Sequence, residues 1–235
     1  MNGFDCFFQG FSLVRSPGLR RYVIIPAIIN TLVLILLVSL SISHFGGWVD
    51  RAVAMLPDWL LFLSWLIWLL AFIAVIFSLF YVFTIVANVV ASPFNALLSV
   101  KVEARLTGRP PVSEVSVWLI LPRALWREVS KLMYLLPRLL GLLLVSLIPL
   151  VNAVAPFLWI LFGAWMMAVQ YTDYAADNND MTFTGLRRRL AERRVQSIMF
   201  GLPAYLLLAI PVVNLILMPV GVAGGTVFYV RHLKG

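Results

Sequence analysis

Four long uncharged runs dominate the pattern of apolar and polar positions along this chain. They cover residues 22–49, 59–100, 139–172 and 195–230. About 20 consecutive apolar residues are enough for a helix to cross the hydrocarbon core of a bilayer. The pattern therefore predicts an all-α integral membrane protein that forms one membrane-embedded domain over residues 1–235.

The first two runs predict two long transmembrane helices. The run from 22 accommodates one spanning helix over residues 22–45. The run from 59 would form a helix of roughly 63 Å at 1.5 Å per residue, and a span needs only about 30 Å. The helix must therefore leave the bilayer or break near Ser92-Pro93-Phe94-Asn95. We expect a span over 59–90, followed by a continuation that carries Asn95 and Glu103.

The last two runs predict re-entrant, or hemi-penetrating, helical hairpins over residues 139–172 and 195–230. Each run is interrupted near its middle by the same phrase, Ile-Pro-x-Val-Asn, at Ile148–Asn152 and again at Ile210–Asn214. Two arms of about 14–15 residues, or roughly 21 Å each, remain on either side of a turn. Such arms are too short for full spans, and backbone that is not helical survives at membrane depth only beside protein or water. The competing interpretation is a kink in each of two packed helices.

Two amphipathic segments predict helices that lie in the membrane interface. Residues 4–15 repeat apolar side chains at helical spacing, and we expect the aromatic side of this helix to face lipid. Residues 183–197 carry arginines on one side and apolar side chains on the other, including Leu186 and Leu190. This second segment is expected to lie over anionic lipid.

Composition supports a membrane protein and argues against several other classes. The chain has 235 residues, of which 62% are hydrophobic and only 12% are charged, and its mean hydropathy is +0.98. The net charge of +8 comes from basic residues that flank apolar runs, so we expect no nucleic-acid partner. The lone Cys6 excludes an internal disulfide. We expect no metal, no cofactor and no cleaved signal peptide.

The basic residues also predict the orientation in the membrane. If both hairpins are re-entrant, 17 of the 18 Lys and Arg residues lie on one side, and only Arg51 lies on the other. Short cytoplasmic segments carry such an excess of positive charge. The two termini and residues 101–138 and 172–197 are therefore expected to face the cytoplasm, and residues 46–58 the opposite side.

The segment from Ser16 to Arg21 is a candidate anion site at a predicted helix start. Ser16 suits the N-cap and Pro17 the first helical position. This assignment would leave the next three backbone N–H groups free at the positive end of a helix dipole.

Four consecutive residues, Gly18, Leu19, Arg20 and Arg21, supply the candidate binding groups. Gly18 has no side chain, so an anion could approach the backbone closely. The two guanidinium groups can each fork onto a tetrahedral oxyanion. In the competing interpretation, Arg20 and Arg21 are ordinary cytoplasmic charges that flank a membrane helix.

A second basic cluster occupies one face of the helix predicted from about residue 113. Arg123, Arg127 and Lys131 recur every four residues, and like charges at that spacing repel on a helix. Glu128 offsets part of the charge through Lys131. Lipid headgroups, a partner or an anion path could supply the remaining counter-charge.

These residues and the two hairpin tips suggest a conducting path, because neutral amides at half-depth can solvate an anion without trapping it. The candidate path residues are Asn95, Glu103, Arg123, Arg127, Glu128, Lys131, Asn152 and Asn214.

The order and spacing of these motifs resemble the CysZ family of bacterial sulfate permeases over essentially the whole chain. The motifs are Gly18-Leu19-Arg20-Arg21 before Pro26, Ser92-Pro93-Phe94-Asn95, Arg127-Glu128 with Lys131, a Tyr171–Asp180 loop and the two Ile-Pro-x-Val-Asn tips. The resemblance implies sulfate uptake across the inner membrane for cysteine biosynthesis, without ATP. It also implies two spanning helices, two hemi-penetrating hairpins, a hexameric assembly, and a sulfate site at Gly18, Leu19, Arg20 and Arg21.

Two other classes compete with a permease. An intramembrane lipid-modifying enzyme could hold a divalent metal at Asp173, Asp177 and Asp180, although aspartates in such a loop are more often caps and turn formers. A purely structural membrane protein is the other alternative. For a permease, the sequence leaves open whether uptake is channel-like or proton-linked through Glu103 or Glu128.

Overall fold

The protein is described from a computed structural model over residues 1–111, 117–149 and 152–234, with the side chains at 117–125, 211–212 and 214–215 left aside. Within these ranges all regular secondary structure is helical. The α-helices are α1 (Gly3–Arg15), α2 (Arg21–Val53), α3 (Ser64–Thr107), α4 (Val117–Ser146), α5 (Ala155–Asn178), α6 (Phe183–Glu192), α7 (Arg194–Leu207) and α8 (Pro211–Phe228). A 3₁₀ helix (Asp58–Leu63) precedes α3, and a π-helical turn (Tyr229–Leu233) follows α8.

The chain forms two compact units. The first unit comprises Met1–Val23 and Asn95–Gly235, and the second comprises Ile24–Phe94. The prediction of one domain over residues 1–235 stays a prediction.

The second unit consists of apolar helix with little burial. Its buried side chains are Pro26 and Val49, among the residues described there. Near the connection between its helices, Phe45 contacts the edges of Trp68 and Phe72. Apolar side chains left exposed over such a length need a lipid or protein environment, because water would penalise them.

Helix α3 continues through Ser92-Pro93-Phe94-Asn95 without interruption, so the break considered at this phrase does not occur. It contains 44 residues, which is about 66 Å of helix. Pro93 removes one backbone hydrogen bond from its interior, which a helix tolerates at the cost of a kink. Residues 64–90 of the predicted span and its continuation are thus parts of one α-helix, and residues 59–63 lie in the 3₁₀ helix that precedes it.

Helices α4 and α5 form an antiparallel pair around the first Ile-Pro-x-Val-Asn phrase. The indole N–H of Trp159 donates to Ser146 Oγ at 3.1 Å, and that of Trp165 donates to the Tyr134 hydroxyl at 3.0 Å. The two helices contain 30 and 24 residues, which is more than the predicted arms, because both continue past the uncharged run into charged sequence. Each includes a segment long and apolar enough to cross a membrane.

Helices α7 and α8 form the second pair, with a turn at residues 208–210. Helix α7 has 14 residues, or about 21 Å, and α8 has 18 residues. The candidate spans number five in the described chain and lie in α2, in the 3₁₀ helix with α3, in α4, in α5 and at Ile216–Leu233. The structure is therefore that of a multi-pass membrane protein.

Helix α1 is packed inside the first unit. Phe7 is fully buried and its ring contacts Phe200 of α7 edge-on. A Cβ on Gly10 would lie 2.3 Å from the carbonyl oxygen of Val220 in α8, so only glycine allows this approach. The helix was predicted correctly, but the expectation that its aromatic side faces lipid is wrong for Phe7, because α7 and α8 cover that side.

The arginine-rich segment divides into two helices where one was predicted over 183–197. Helix α6 ends at Glu192, and Arg193 adopts a non-helical backbone before α7 begins. Leu186 and Leu190 are fully buried, which confirms their placement on the apolar side of this segment.

Candidate anion site and the buried charge network

The segment from Ser16 to Arg21 is a turn between α1 and α2. Ser16 is the C-cap of α1, and its backbone N–H donates to the carbonyl of Leu13 at 3.0 Å. Gly18 has a φ of +86°, in the left-handed region that a right-handed helix excludes. The prediction of Ser16 as an N-cap and Pro17 as a first helical residue is therefore wrong, and α2 begins at Arg21.

The turn engages two of the three backbone N–H groups that were expected to be free. Those of Leu19 and Arg20 both donate to the Ser16 carbonyl, at 3.2 and 3.3 Å. The Leu19 side chain is buried in the core of the first unit. The Ser16 hydroxyl donates to the Leu13 carbonyl and accepts from Arg105 Nη1 at 2.8 Å. The turn is thus held from both sides.

What the turn presents outward is positive charge. Arg20 and Arg21 are exposed, and Arg21 donates to the hydroxyl of Tyr22 at 3.1 Å. Among the residues that the structure describes, no carboxylate forms an ion pair with either arginine. The Cβ position of Gly18 has open space around it. Two adjacent guanidinium groups beside an open backbone can bind a small oxyanion.

The second basic cluster has its counter-charge inside the chain. Asp173 of α5 accepts from Arg127 Nε at 3.1 Å and pairs with Lys131 Nζ at 3.0 Å. Arg127 also pairs with Asp177 at 3.0 Å, and Lys131 pairs with Glu128 at 2.7 Å. The counter-charge therefore comes from α5 and α4, whereas headgroups, a partner or an anion path had been considered.

This cluster presents little free positive charge. Arg127, Lys131 and Asp173 are 7%, 6% and 4% exposed, and the two cations meet three carboxylates in all. A field from such a neutralised group does not attract a distant anion strongly. Its clearest effect is to fasten α4 to α5.

The segment Tyr171–Asp180 is largely helical, where a connecting loop was expected. Helix α5 extends to Asn178, so Asp173 and Asp177 lie one turn apart on it. Both carboxylates are paired with the basic cluster. No set of three metal-ligating side chains occurs in the described ranges, and the geometry gives the enzyme alternative no support.

A further network joins four distant segments at one end of the first unit. The fully buried Glu103 of α3 forms an ion pair with Lys234 and accepts from Asn179 Nδ2 at 2.8 Å. The nearby Arg105 reaches Ser16 at the end of α1. The ends of α1, α3 and α5 and the last residues of the chain therefore meet.

The two remaining path candidates whose side chains are described, Asn95 and Asn152, lie in different surroundings. Asn95 is 4% exposed, and its amide nitrogen has no hydrogen-bond partner within the described chain. Asn152 is exposed in the turn between α4 and α5. The side chains of Arg123 and Asn214 lie outside the described residues.

Sequence reasoning missed Asp173, Asn179 and Lys234 as network partners. One pattern could have found Asp173: it and Asp177 are four residues apart, the spacing that also separates Arg127 from Lys131. Two helices with opposite charges at the same spacing can pair through those faces. No comparable pattern links Lys234 to Glu103.

The long exposed apolar helices define a multi-pass helical membrane protein. The chain belongs to the family described as Sulfate transporter CysZ/Etoposide-induced protein 2.4, whose model matches residues 6–219. It is 47% identical over 227 residues to the sulfate transporter CysZ of Pseudomonas paraeruginosa, which covers 95% of this chain and 92% of the relative. It is 46% identical over 227 residues to that of Pseudomonas fluorescens, covering 95% and 91%. It is 39% identical over 236 residues to that of Pectobacterium atrosepticum, covering 99% and 86%.

Proposed function

We propose that this protein takes up sulfate across the bacterial inner membrane, without ATP, and so supplies sulfur for cysteine biosynthesis. The observation that carries the proposal is the likeness to relatives named sulfate transporters along nearly the whole chain. The multi-pass helical structure supports it, because a doubly charged anion needs a protein route through hydrocarbon.

The proposed sulfate site is the turn of Gly18, Leu19, Arg20 and Arg21. The two exposed arginines would supply charge-assisted hydrogen bonds to the oxyanion. The left-handed Gly18 keeps side-chain bulk away from the bound anion, and the buried Leu19 holds the turn in place. If Arg20 and Arg21 are plain flanking charges, the turn should show no specific sulfate affinity.

The proposed topology has both termini in the cytoplasm and two hairpins that enter the membrane without crossing it. It is supported by the network that joins the ends of α1, α3 and α5 to Lys234, because residues in contact lie on the same side. The 14 residues of α7 are short of the roughly 20 that a full span requires. The exposed apolar helices α2 and α3 offer surface for lipid and for other copies, and we propose a homo-oligomer, a hexamer by family resemblance.

The proposed path uses the amide side chains Asn95, Asn152 and Asn214, with the remaining charged candidates acting at its margin. Glu103, Arg127, Glu128 and Lys131 are each paired within the protein, and Arg123 precedes Arg127, Glu128 and Lys131 on α4. Entry of sulfate against a negative interior costs about 4.6 kcal/mol per 100 mV, twice the cost for one charge. Uptake is therefore either channel-like and drawn by consumption of sulfate, or proton-linked.

Radiolabelled sulfate flux into liposomes that contain only the purified protein tests the function. We expect flux above that of protein-free liposomes, competition by unlabelled sulfate, and none by chloride. An inward proton gradient at zero potential should drive sulfate above equilibrium only if uptake is proton-linked, and Glu103→Gln should then abolish the effect. Liposomes with no sulfate flux would disprove the proposed function.

A further inference from the structure

A basic cavity of about 700 Å³ lies between α4 and the start of α6. Its polar wall includes Arg138 and Arg187, and its apolar wall includes Trp126, Met133 and Phe183. None of these residues belongs to the proposed sulfate turn. The cavity therefore needs an explanation of its own.

Two guanidinium groups in this cavity share one aromatic ring. The guanidinium carbon of Arg138 lies 3.7 Å from the ring centroid of Tyr134, and that of Arg187 lies 4.5 Å from the same centroid. The two guanidinium carbons therefore lie at most about 8 Å apart. Like charges so close repel unless an anion or an aromatic ring compensates them.

The recorded contacts of these two arginines within the described chain are with neutral groups. Arg138 donates to the backbone carbonyl of Tyr134 at 2.9 Å, and Arg187 Nε is buried with no hydrogen-bond partner among the described residues. In the part of the chain that the structure describes, neither arginine pairs with a carboxylate. Arg127 also lines the cavity, but Asp173 and Asp177 neutralise it. Asp180 also lines the cavity, and it is not free, because it interacts with another group.

The surroundings suit an amphiphile better than a free ion. Trp126 and Met133 are 69% and 70% exposed at the cavity wall. A second cavity of about 610 Å³ shares Tyr134, Arg138 and Arg187 with the first. Its other walls include the apolar side chains Leu161, Phe162, Trp165 and Ile198 and the cations Arg188 and Arg194. Positive charge therefore lies next to an apolar surface that could hold acyl chains.

We propose that this cavity binds the phosphate of an anionic phospholipid through Arg138 and Arg187, with the acyl chains along α4 and α5. Basic pockets between membrane helices recognise anionic headgroups in this way. Tyr134 orients both guanidinium groups, and the bound phosphate compensates their charge. The ligand chemistry, a tetrahedral oxyanion, is shared with free phosphate and with sulfate, so the test must separate the three.

Calorimetric titration of the full-length protein in a neutral detergent provides that test. The titrants are short-chain phosphatidylglycerol below its micellar concentration, glycerol phosphate, inorganic phosphate and sulfate. We expect phosphatidylglycerol to bind more tightly than the three soluble anions. Arg187→Gln and Arg138→Gln should each weaken that binding by roughly tenfold or more, the usual effect of losing a charge-assisted hydrogen bond.

Arg193→Gln is the matched control, since Arg193 is exposed, lies at the end of α6 and lines neither cavity. It should leave phosphatidylglycerol binding unchanged. Equal affinities for the lipid and for glycerol phosphate would overturn the lipid proposal and indicate that the ligand is a soluble phosphate. Loss of sulfate binding in Arg187→Gln, with Arg20→Gln and Arg21→Gln unaffected, would make the cavity a sulfate site. Absence of lipid binding, or equal loss in the control, would also overturn the proposal.

Discussion

At the scale of single residues, Gly18 controls how the proposed anion site is presented. Its φ of +86° turns the chain sharply after α1, a conformation that costs other residues roughly 1 kcal/mol or more. The turn buries Leu19 and leaves Arg20 and Arg21 exposed. A buried anchor beside two exposed cations makes the arrangement stiff, and a stiff site loses less entropy when it binds an anion.

Replacing both arginines tests the site directly. Arg20→Gln and Arg21→Gln should each weaken sulfate binding by about 1.5–3 kcal/mol, because each removes a charge-assisted hydrogen bond. Calorimetry on the purified protein measures the change. Arg15→Gln, which removes an exposed charge at the end of α1, is the control and should have little effect. If the double variant binds sulfate as well as the parent protein, these arginines are only flanking charges.

A second residue-scale prediction concerns Cys6. Burial raises the pKa of its thiol from 9.0 to about 11. The thiolate is the reactive form, so alkylation of the folded protein by maleimide should be slow at neutral pH and keep rising beyond pH 9. The folded state holds this proton more tightly than the unfolded state, so the stability gained from it is lost as the pH rises from about 9 towards 11.

Mass spectrometry of the alkylated protein at several pH values measures this behaviour, with denatured protein as the control. A rate that levels off near pH 9 in the folded protein would contradict the raised pKa.

At the scale of elements, buried charge and close backbone contact join the helices of the first unit. Asp173 connects α5 to Arg127 and Lys131 of α4, and Glu103 connects α3 to Lys234. A buried ion pair contributes little net stability over an apolar pair, but loss of one partner is costly. The pairs therefore select one register between helices.

Asp173→Asn should be strongly destabilising for that reason. It leaves two buried cations without their main counter-charge, and we expect a loss of about 3–5 kcal/mol. The exposed pair of Arg188 and Glu192 provides the control, since Glu192→Gln should cost less than about 1 kcal/mol. Thermal unfolding in detergent compares them. Similar melting temperatures for the two variants would show that the buried network does not contribute more to stability than an exposed ion pair.

A second prediction at the scale of elements concerns the close contact at Gly201. A Cβ there would lie 1.8 Å from the carbonyl oxygen of Ala164, so α5 and α7 can approach as they do only without a side chain. Gly201→Ala should cost at least about 1–3 kcal/mol through overpacking. Gly141→Ala, whose Cβ meets open space, should be neutral or slightly stabilising. Thermal unfolding again decides, and equal behaviour of the two would contradict the close contact.

At the scale of the whole molecule, the prediction is the orientation in the membrane. Single cysteines in a Cys6-free background should be labelled by an impermeant reagent in intact cells at position 50, and not at positions 180 or 234. The charge partition and the contact of Glu103 with Asn179 and Lys234 motivate this expectation. Permeabilised cells, in which all three positions should react, are the control. Labelling at position 180 in intact cells would rule out the hairpin topology.

The sequence by itself determined the class of protein and most of its helices. Uncharged runs long enough for a bilayer and basic residues at their ends indicate membrane helices, because the transfer energy depends on composition and length alone. The apolar side of α6 followed from its periodicity for the same reason: the pattern is local. The turn between the second pair of helices lies at residues 208–210, just before the phrase Ile210–Asn214, where the sequence had placed it.

Only the tertiary structure decided what each polar residue contacts. The partners Arg127 and Asp173 are separated by 46 positions, and Lys234 and Glu103 by 131, so no local pattern relates them. Local pattern also failed for Phe7. Its periodicity predicted contact with lipid, but in the structure α7 and α8 cover it. The residues Ser16-Pro17-Gly18 are compatible both with the start of a helix and with the end of one. The burial of Leu19 and the contact of Arg105 with Ser16 accompany the turn that forms, because long-range packing outweighs local capping preference.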